Sequence, residues 1–176
     1  MIKITTFARR SRQVYTLVMS IFVKPSAPTK PKTKNVSSVA IIYAVIIVVF
    51  VVAQLFTFEE FVALVESYGL PGGVVFARFL AAYLVTVEVF ALPFLLRMRV
   101  STAMRVVSMI CGWLVALIWF GISLWLVIST NTVGNIGFVG SVVALTPGWW
   151  AVFISIAPGT LSIWASWGMW PLVRKK

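Results

Sequence analysis

At 176 residues, 61% hydrophobic and 11% charged, the chain is too apolar for a water-soluble domain, where about 45–50% apolar and 25% charged is usual, and still less suited to disorder. Its mean hydropathy of +1.03 implies that a bilayer, not a large aqueous core, covers most of the apolar surface. Fifteen Lys and Arg against four acids give a net charge of +11, but the cations sit at the ends of apolar runs. That pattern points to membrane orientation and anionic headgroups, not to nucleic acid.

The residue inventory removes most catalytic templates. There is one cysteine, Cys111, so neither an intrachain disulfide nor an intrachain dithiol cycle can form. With no His, metal centres built on His/Cys clusters and Ser-His or Cys-His catalysis are absent. The only acids are Glu59, Glu60, Glu66 and Glu88. The chain reads as a non-enzyme with no cofactor.

Residues 1–35 carry eight Lys and Arg and no acid. Apolar residues within Met1–Val23 recur at roughly helical spacing, as in a basic amphipathic helix on the inner leaflet. Lys24–Lys34, KPSAPTKPKTK, reads as an extended, poorly ordered linker. Four apolar spans follow, at about Val39–Phe56, Val74–Leu96, Val106–Ile128 and Trp149–Leu172. Each is long enough to cross roughly 30 Å of hydrocarbon as a helix, and none alternates as a barrel strand would. The fold class expected is an all-α four-helix transmembrane bundle. Trp149, Trp150, Trp167 and Trp170 sit near the two interfaces of the last span. Trp113, Trp119 and Trp125 read as packed or lipid-facing bulk.

Between the first two spans, Thr57 and Glu60 match a T-x-x-E capping box, and Phe58–Tyr68 has the spacing of a short amphipathic helix on the outer interface. Gly69 and Pro71 end it. Between the last two spans, Ser129–Gly148 is apolar for a loop, has Gly134, Gly137 and Gly140 at every third position, and is expected to dip back into the interface. Gly112/Ala116 and Ala77/Ala81 form small faces for close helix contact. Pro93 and Pro158-Gly159 should kink their helices.

Glu88 is the most informative residue. It falls well inside the second span, where a carboxyl must face the bundle and find partners, and burial without a cation favours the neutral acid. Counting residues from the span ends puts Ser108, Cys111, Ser162 and Ser166 at a similar depth. These five form the candidate ligand or proton site, with an interhelical staple as the alternative. Arg78, near the outer face, is expected to pair with Glu66 or Glu60.

The words FxxFVALVESYGLP at Phe58–Pro71 and VEVFALPFLL at Val87–Leu96 resemble the MauE/DoxX group of small four-span membrane proteins, a likeness running from Phe50 to Ile128. Tyr68, Gly69, Leu70, Pro71 and Glu88 are the positions that match its motif. The resemblance implies a bacterial plasma-membrane accessory protein of redox-protein maturation or electron transfer. MauE-type proteins serve methylamine dehydrogenase assembly, and DoxX-like ones serve quinol-oxidase or oxidoreductase complexes. The partners expected are anionic inner-leaflet lipids and a redox or maturation protein. A small-molecule, quinone or lipid carrier using a Glu88 site is the alternative.

Orientation yields a first prediction. With four spans, fourteen of the fifteen Lys and Arg fall on one side, all but Arg78, so both termini are expected in the cytoplasm. Single cysteines placed at position 33 and within 129–148 should label from opposite sides of the membrane. Labelling of both from the same side would contradict four spans.

Overall fold

The computed structural model describes residues 25–129 and 133–170. The helix expected over Met1–Val23 and the basic tail 174–176 lie outside the described residues. Among the described residues there are five helices: α1 Lys34–Phe56, α2 Phe58–Ser67, α3 Gly73–Leu95, α4 Thr102–Ile128 and α5 Trp149–Gly168. Four of them, all but α2, are long and apolar enough to cross a membrane. The protein is an all-α, multi-pass membrane bundle with a short helix between its first two spans.

The four long helices form a ring in which α3 packs on α1 and α4, and α5 packs on α4 and α1, while α2 lies across α3. Successive long helices run antiparallel. One end of the bundle, the basic end, holds the chain before α1 and the α3–α4 loop. The other, the capped end, holds α2 and the loop 133–148.

The polarity of the bundle is reversed relative to a soluble protein. On α1 the inward residues Val36, Ala40, Tyr43, Ile47, Val51 and Gln54 recur at helical spacing and are buried. The outward face, including Ile41, Val45, Val49 and Val52, is equally apolar and at least half exposed. A helix apolar on every face is matched to hydrocarbon. Buried polar side chains, among them Gln54, Glu88, Ser108, Ser123 and Ser162, point inward.

Ser108 shows how one such group serves the backbone. Pro93 lies inside α3, where it lacks an N–H and its ring disturbs the preceding turn. Ser108 Oγ, on α4, accepts from Phe94 N at 2.8 Å and donates to Ala91 O at 3.0 Å. The neighbouring helix thus satisfies the groups that the proline leaves over, as hydrocarbon requires. α3 then closes in a Schellman turn, with Met98 N donating to Pro93 O and Arg97 N to Phe94 O. Arg97 occupies the left-handed position of that turn, φ +55°, which costs a non-glycine residue about 1–2 kcal/mol.

The linker corrects one expectation. Residues 25–33 are extended but pinned across the basic end. Ser26 N donates to Val100 O at 3.1 Å, Lys32 N to Gly168 O at 3.0 Å, and Thr29 Oγ1 to Met169 O at 3.3 Å. Lys32 Nζ lies 4.3 Å from the centre of the Trp167 ring. Three prolines suppress helix formation here, and the free N–H groups find carbonyls at helix ends instead of water. The helix also starts earlier than expected, at Lys34 rather than Val39.

Ser108→Ala should lower stability in detergent by about 1 kcal/mol, the scale of a buried donor left unpaired. In a Pro93→Ala background, where α3 can recover its own ladder, the loss should shrink. Equal losses in both backgrounds, measured by thermal unfolding, would argue against the repair role.

Candidate functional site

Glu88 is fully buried. Its Oε1 accepts from Trp119 Nε1 at 3.0 Å and from Gln54 Nε2 at 3.4 Å. Gln54 Nε2 also reaches Phe138 O, at 3.3 Å, in the loop 133–148. The Phe138 ring packs 4.7 Å from Trp119 and stacks 5.8 Å from Phe50. Three helices and the distal loop therefore meet at one carboxyl group. Glu88 Oε2 and Gln54 Oε1 are buried without a hydrogen-bond partner.

These partners differ from those expected. Side chains on a helix lean toward its N-terminus. The N-terminus of α3 is at the capped end, so Glu88 reaches that way. The N-termini of α1 and α4 are at the basic end, so Gln54 and Trp119 lean toward Glu88 from above. Matching depths by Cα position alone picked residues too near the basic end. Ser108 repairs the Pro93 turn. Ser166 Oγ accepts from Trp113 Nε1 at 2.8 Å and donates to Ser162 O at 2.7 Å. Ser162 Oγ sits beside Gly112, where Tyr43 Oη donates to the Gly112 carbonyl at 2.6 Å. Cys111 is a buried free thiol. None of the four hydrogen-bonds to Glu88, whose partners are Gln54 and Trp119.

Trp119 and Trp113 are hydrogen-bond donors to the bundle rather than bulk, and so is Trp125, whose Nε1 donates to Tyr68 O at 3.1 Å. Gln54 was legible as the one amide in an otherwise apolar span. The indole donors carried no comparable signal.

Above this cluster the cap is built from α2 and the loop. Phe61, Val65 and Tyr68 turn inward, and Glu59 and Glu60 outward. The capping box does not form. Thr57 Oγ1 donates to Ala53 O at 3.2 Å and accepts from Ser141 N at 3.3 Å, while Glu60 accepts from the Ser141 hydroxyl. Both residues are drawn to the loop because it lies close enough to compete with the first turn of α2.

The loop is organised by Asn135. Its Oδ1 accepts from Gly137 N at 3.0 Å and Leu145 N at 3.1 Å, and its Nδ2 donates to Gly140 O at 3.1 Å. Gly137 (φ +78°) and Gly140 (φ +60°) permit the close approach. A Cβ at Gly137 would stand 2.6 Å from Tyr68 Oη, and one at Gly140 would stand 2.9 Å from Ala53 O. Ile136 and Phe138 are thereby buried on the bundle.

The motif residues close α2 onto this loop. Tyr68 Oη donates to Ile136 O at 2.7 Å, and burial pushes the phenol above its ordinary range. The bond is therefore fully present below pH ~10 and is lost only as pH rises through the higher folded value. Gly69 is left-handed, Leu70 packs against the core with its carbonyl accepting from Gly73 N, and Pro71 is exposed. Arg78 Nε lies 2.6 Å from Glu66 Oε1. At 66% and 25% exposure, such a pair contributes at most about 1 kcal/mol.

No family model, curated protein or solved structure matches the chain. Among the described residues, no three His, Cys, Asp or Glu converge as metal ligands.

Trp119→Phe removes the stronger donor to Glu88 while keeping much of the ring packing. Amide exchange at 136–138 should then accelerate, because the carboxyl and the loop share Gln54. Exchange unchanged there, with faster exchange confined to α4, would separate the loop from the cluster.

Proposed function

We propose that the chain is a non-catalytic accessory component of a bacterial plasma membrane. It has both termini cytoplasmic and serves a redox-protein maturation or electron-transfer system of the kind the MauE/DoxX resemblance implies. One observation supports this reading above others. The only acid within the spans is enclosed by Gln54, Trp119 and the loop 133–148, where it fastens a rigid outer cap. Chemistry-bearing residues are spent on each other, as suits a protein that presents a shaped surface to a partner. The partner-facing surface is the cap, with Glu59, Glu60 and the Glu66–Arg78 pair along α2. The cation asymmetry between the two ends supports the orientation.

A second reading is favoured by a separate observation, the two unpartnered acceptors Glu88 Oε2 and Gln54 Oε1. A proton on Glu88 would turn one of them into a donor, and a carrier could exploit that exchange or admit a small ligand between them.

Glu88→Gln separates the two. In a strain lacking the gene, the accessory role predicts full complementation by Glu88→Gln, because the amide keeps the shape and an acceptor. It also predicts undiminished recovery of cross-linked partner from native membranes. Glu88→Leu should loosen the cap and reduce that recovery. Normal folding of Glu88→Gln with failed complementation would overturn the accessory role in favour of the carrier.

A further inference from the structure

The basic end carries a concentration of charge with no carboxylate counterpart among the described residues. Arg105 is only 4% exposed. Its Nη2 donates to Ser26 O at 2.8 Å, Ser26 Oγ at 3.1 Å and Val100 O at 3.4 Å, all of them neutral acceptors. Arg97 has its Nε buried without a partner. Both arginines line one notch with Pro28, Thr29, Phe94 and Met169. The notch itself encloses only about 10 Å³, room for no more than one water, and opens outward into about 190 Å³ of space that includes solvent at its mouth.

The four Glu side chains lie elsewhere. Glu59, Glu60 and Glu66 are on α2 at the capped end, and Glu88 is bonded to Gln54 and Trp119. Among the described residues no carboxylate faces either arginine, and the only ion pair is Arg78–Glu66. Arg105 is withdrawn from water and Arg97 is half-buried, and a guanidinium group so placed favours anionic or strongly polar partners. The backbone adds an independent observation. Arg97 fills the left-handed position of the α3 Schellman turn, where glycine would be unstrained. The position keeps a strained arginine whose side chain bonds to nothing described.

We propose that the open mouth of this notch is a binding site for an anionic phosphate group, which docks on the surface there and does not enter the notch. Arg97 and Arg105 are its fork-shaped donors, and the pinned segment 25–33 is its wall. Guanidinium planes match phosphoryl oxygens in charge and geometry. Leu96 and Met98, which flank Arg97, are half-exposed and apolar. A phosphate carried on an acyl chain would meet them, so the headgroup of an anionic lipid fits this chemistry, as does free phosphate. The site is independent of the accessory role and of the state of Glu88.

Arg97→Gly is the decisive variant, because it relieves the left-handed strain and so does not threaten folding. The full chain would be reconstituted in phosphatidylcholine nanodiscs with and without phosphatidylglycerol, and the lipid retained after detergent extraction counted by native mass spectrometry. Inorganic phosphate would be titrated separately by phosphorus NMR. The wild type should retain phosphatidylglycerol selectively, and Arg97→Gly should weaken that retention about tenfold or more, as loss of a charged hydrogen bond predicts. Phosphate binding lost in Arg97→Gly, without lipid selectivity, would support the site and assign its ligand to free phosphate. Absence of both, or equal binding by Arg97→Gly, would overturn the proposal. Arg105→Lys keeps the charge but loses the fork, and should fall between the two.

Discussion

A carboxyl group within an apolar bundle is costly unless donors reach it, and here the donors are Gln54 on α1 and Trp119 on α4. That requirement organises the upper half of the molecule. Because Gln54 also holds the Phe138 carbonyl, satisfying Glu88 draws the loop 133–148 down onto the helices. The loop in turn receives the Tyr68 hydroxyl, the Ser141–Glu60 contact and the Thr57 side chain. Hydrophobic burial contributes little between spans already surrounded by lipid, so directional polar contacts and close packing decide the arrangement.

The bundle repeats this solution at successive depths. Tyr43 reaches the Gly112 carbonyl beside Ser162, Trp113 reaches Ser166, and Ser108 repairs the proline turn of α3. Each contact joins two helices, and each uses a group that lipid could not satisfy. The two ends differ in character. The capped end is tied mostly by neutral hydrogen bonds, with the Ser141–Glu60 contact and the Arg78–Glu66 ion pair besides, and carries three of the four acids. The basic end is crossed by a proline-rich segment and carries Arg97 and Arg105, which have no carboxylate partner among the described residues.

The spans were legible because hydrocarbon thickness sets their length and apolar runs mark them plainly. Helix α2 was legible from its period and from Gly69, and the pairing of Arg78 with Glu66 from their shared end of the molecule. The inward placement of Glu88 followed from cost alone. Its partners did not, because they depend on which way side chains lean on antiparallel helices, a matter of several ångströms that residue counting ignores. The indole donors of Trp113, Trp119 and Trp125 were equally hidden, since a tryptophan in a span serves as bulk or as a donor with the same sequence signature. The capping box failed for a tertiary reason: a loop eighty residues away competes for Thr57 and Glu60. Segment 25–33 was recognisably extended, but its anchorage rests on carbonyls at distant helix ends.

The central claim is that Glu88, Trp119 and Gln54 act as one unit that holds the bundle to its cap. A double-mutant cycle of Glu88→Leu, which removes the acceptor, and Trp119→Phe, which removes the donor, read by reversible unfolding in detergent, probes that unit. The double variant should lose less stability than the sum of the single losses, with a coupling of about 1 kcal/mol, as for residues sharing a hydrogen bond. Strict additivity of the two losses would show that the carboxyl and the indole do not interact, and would contradict the claim.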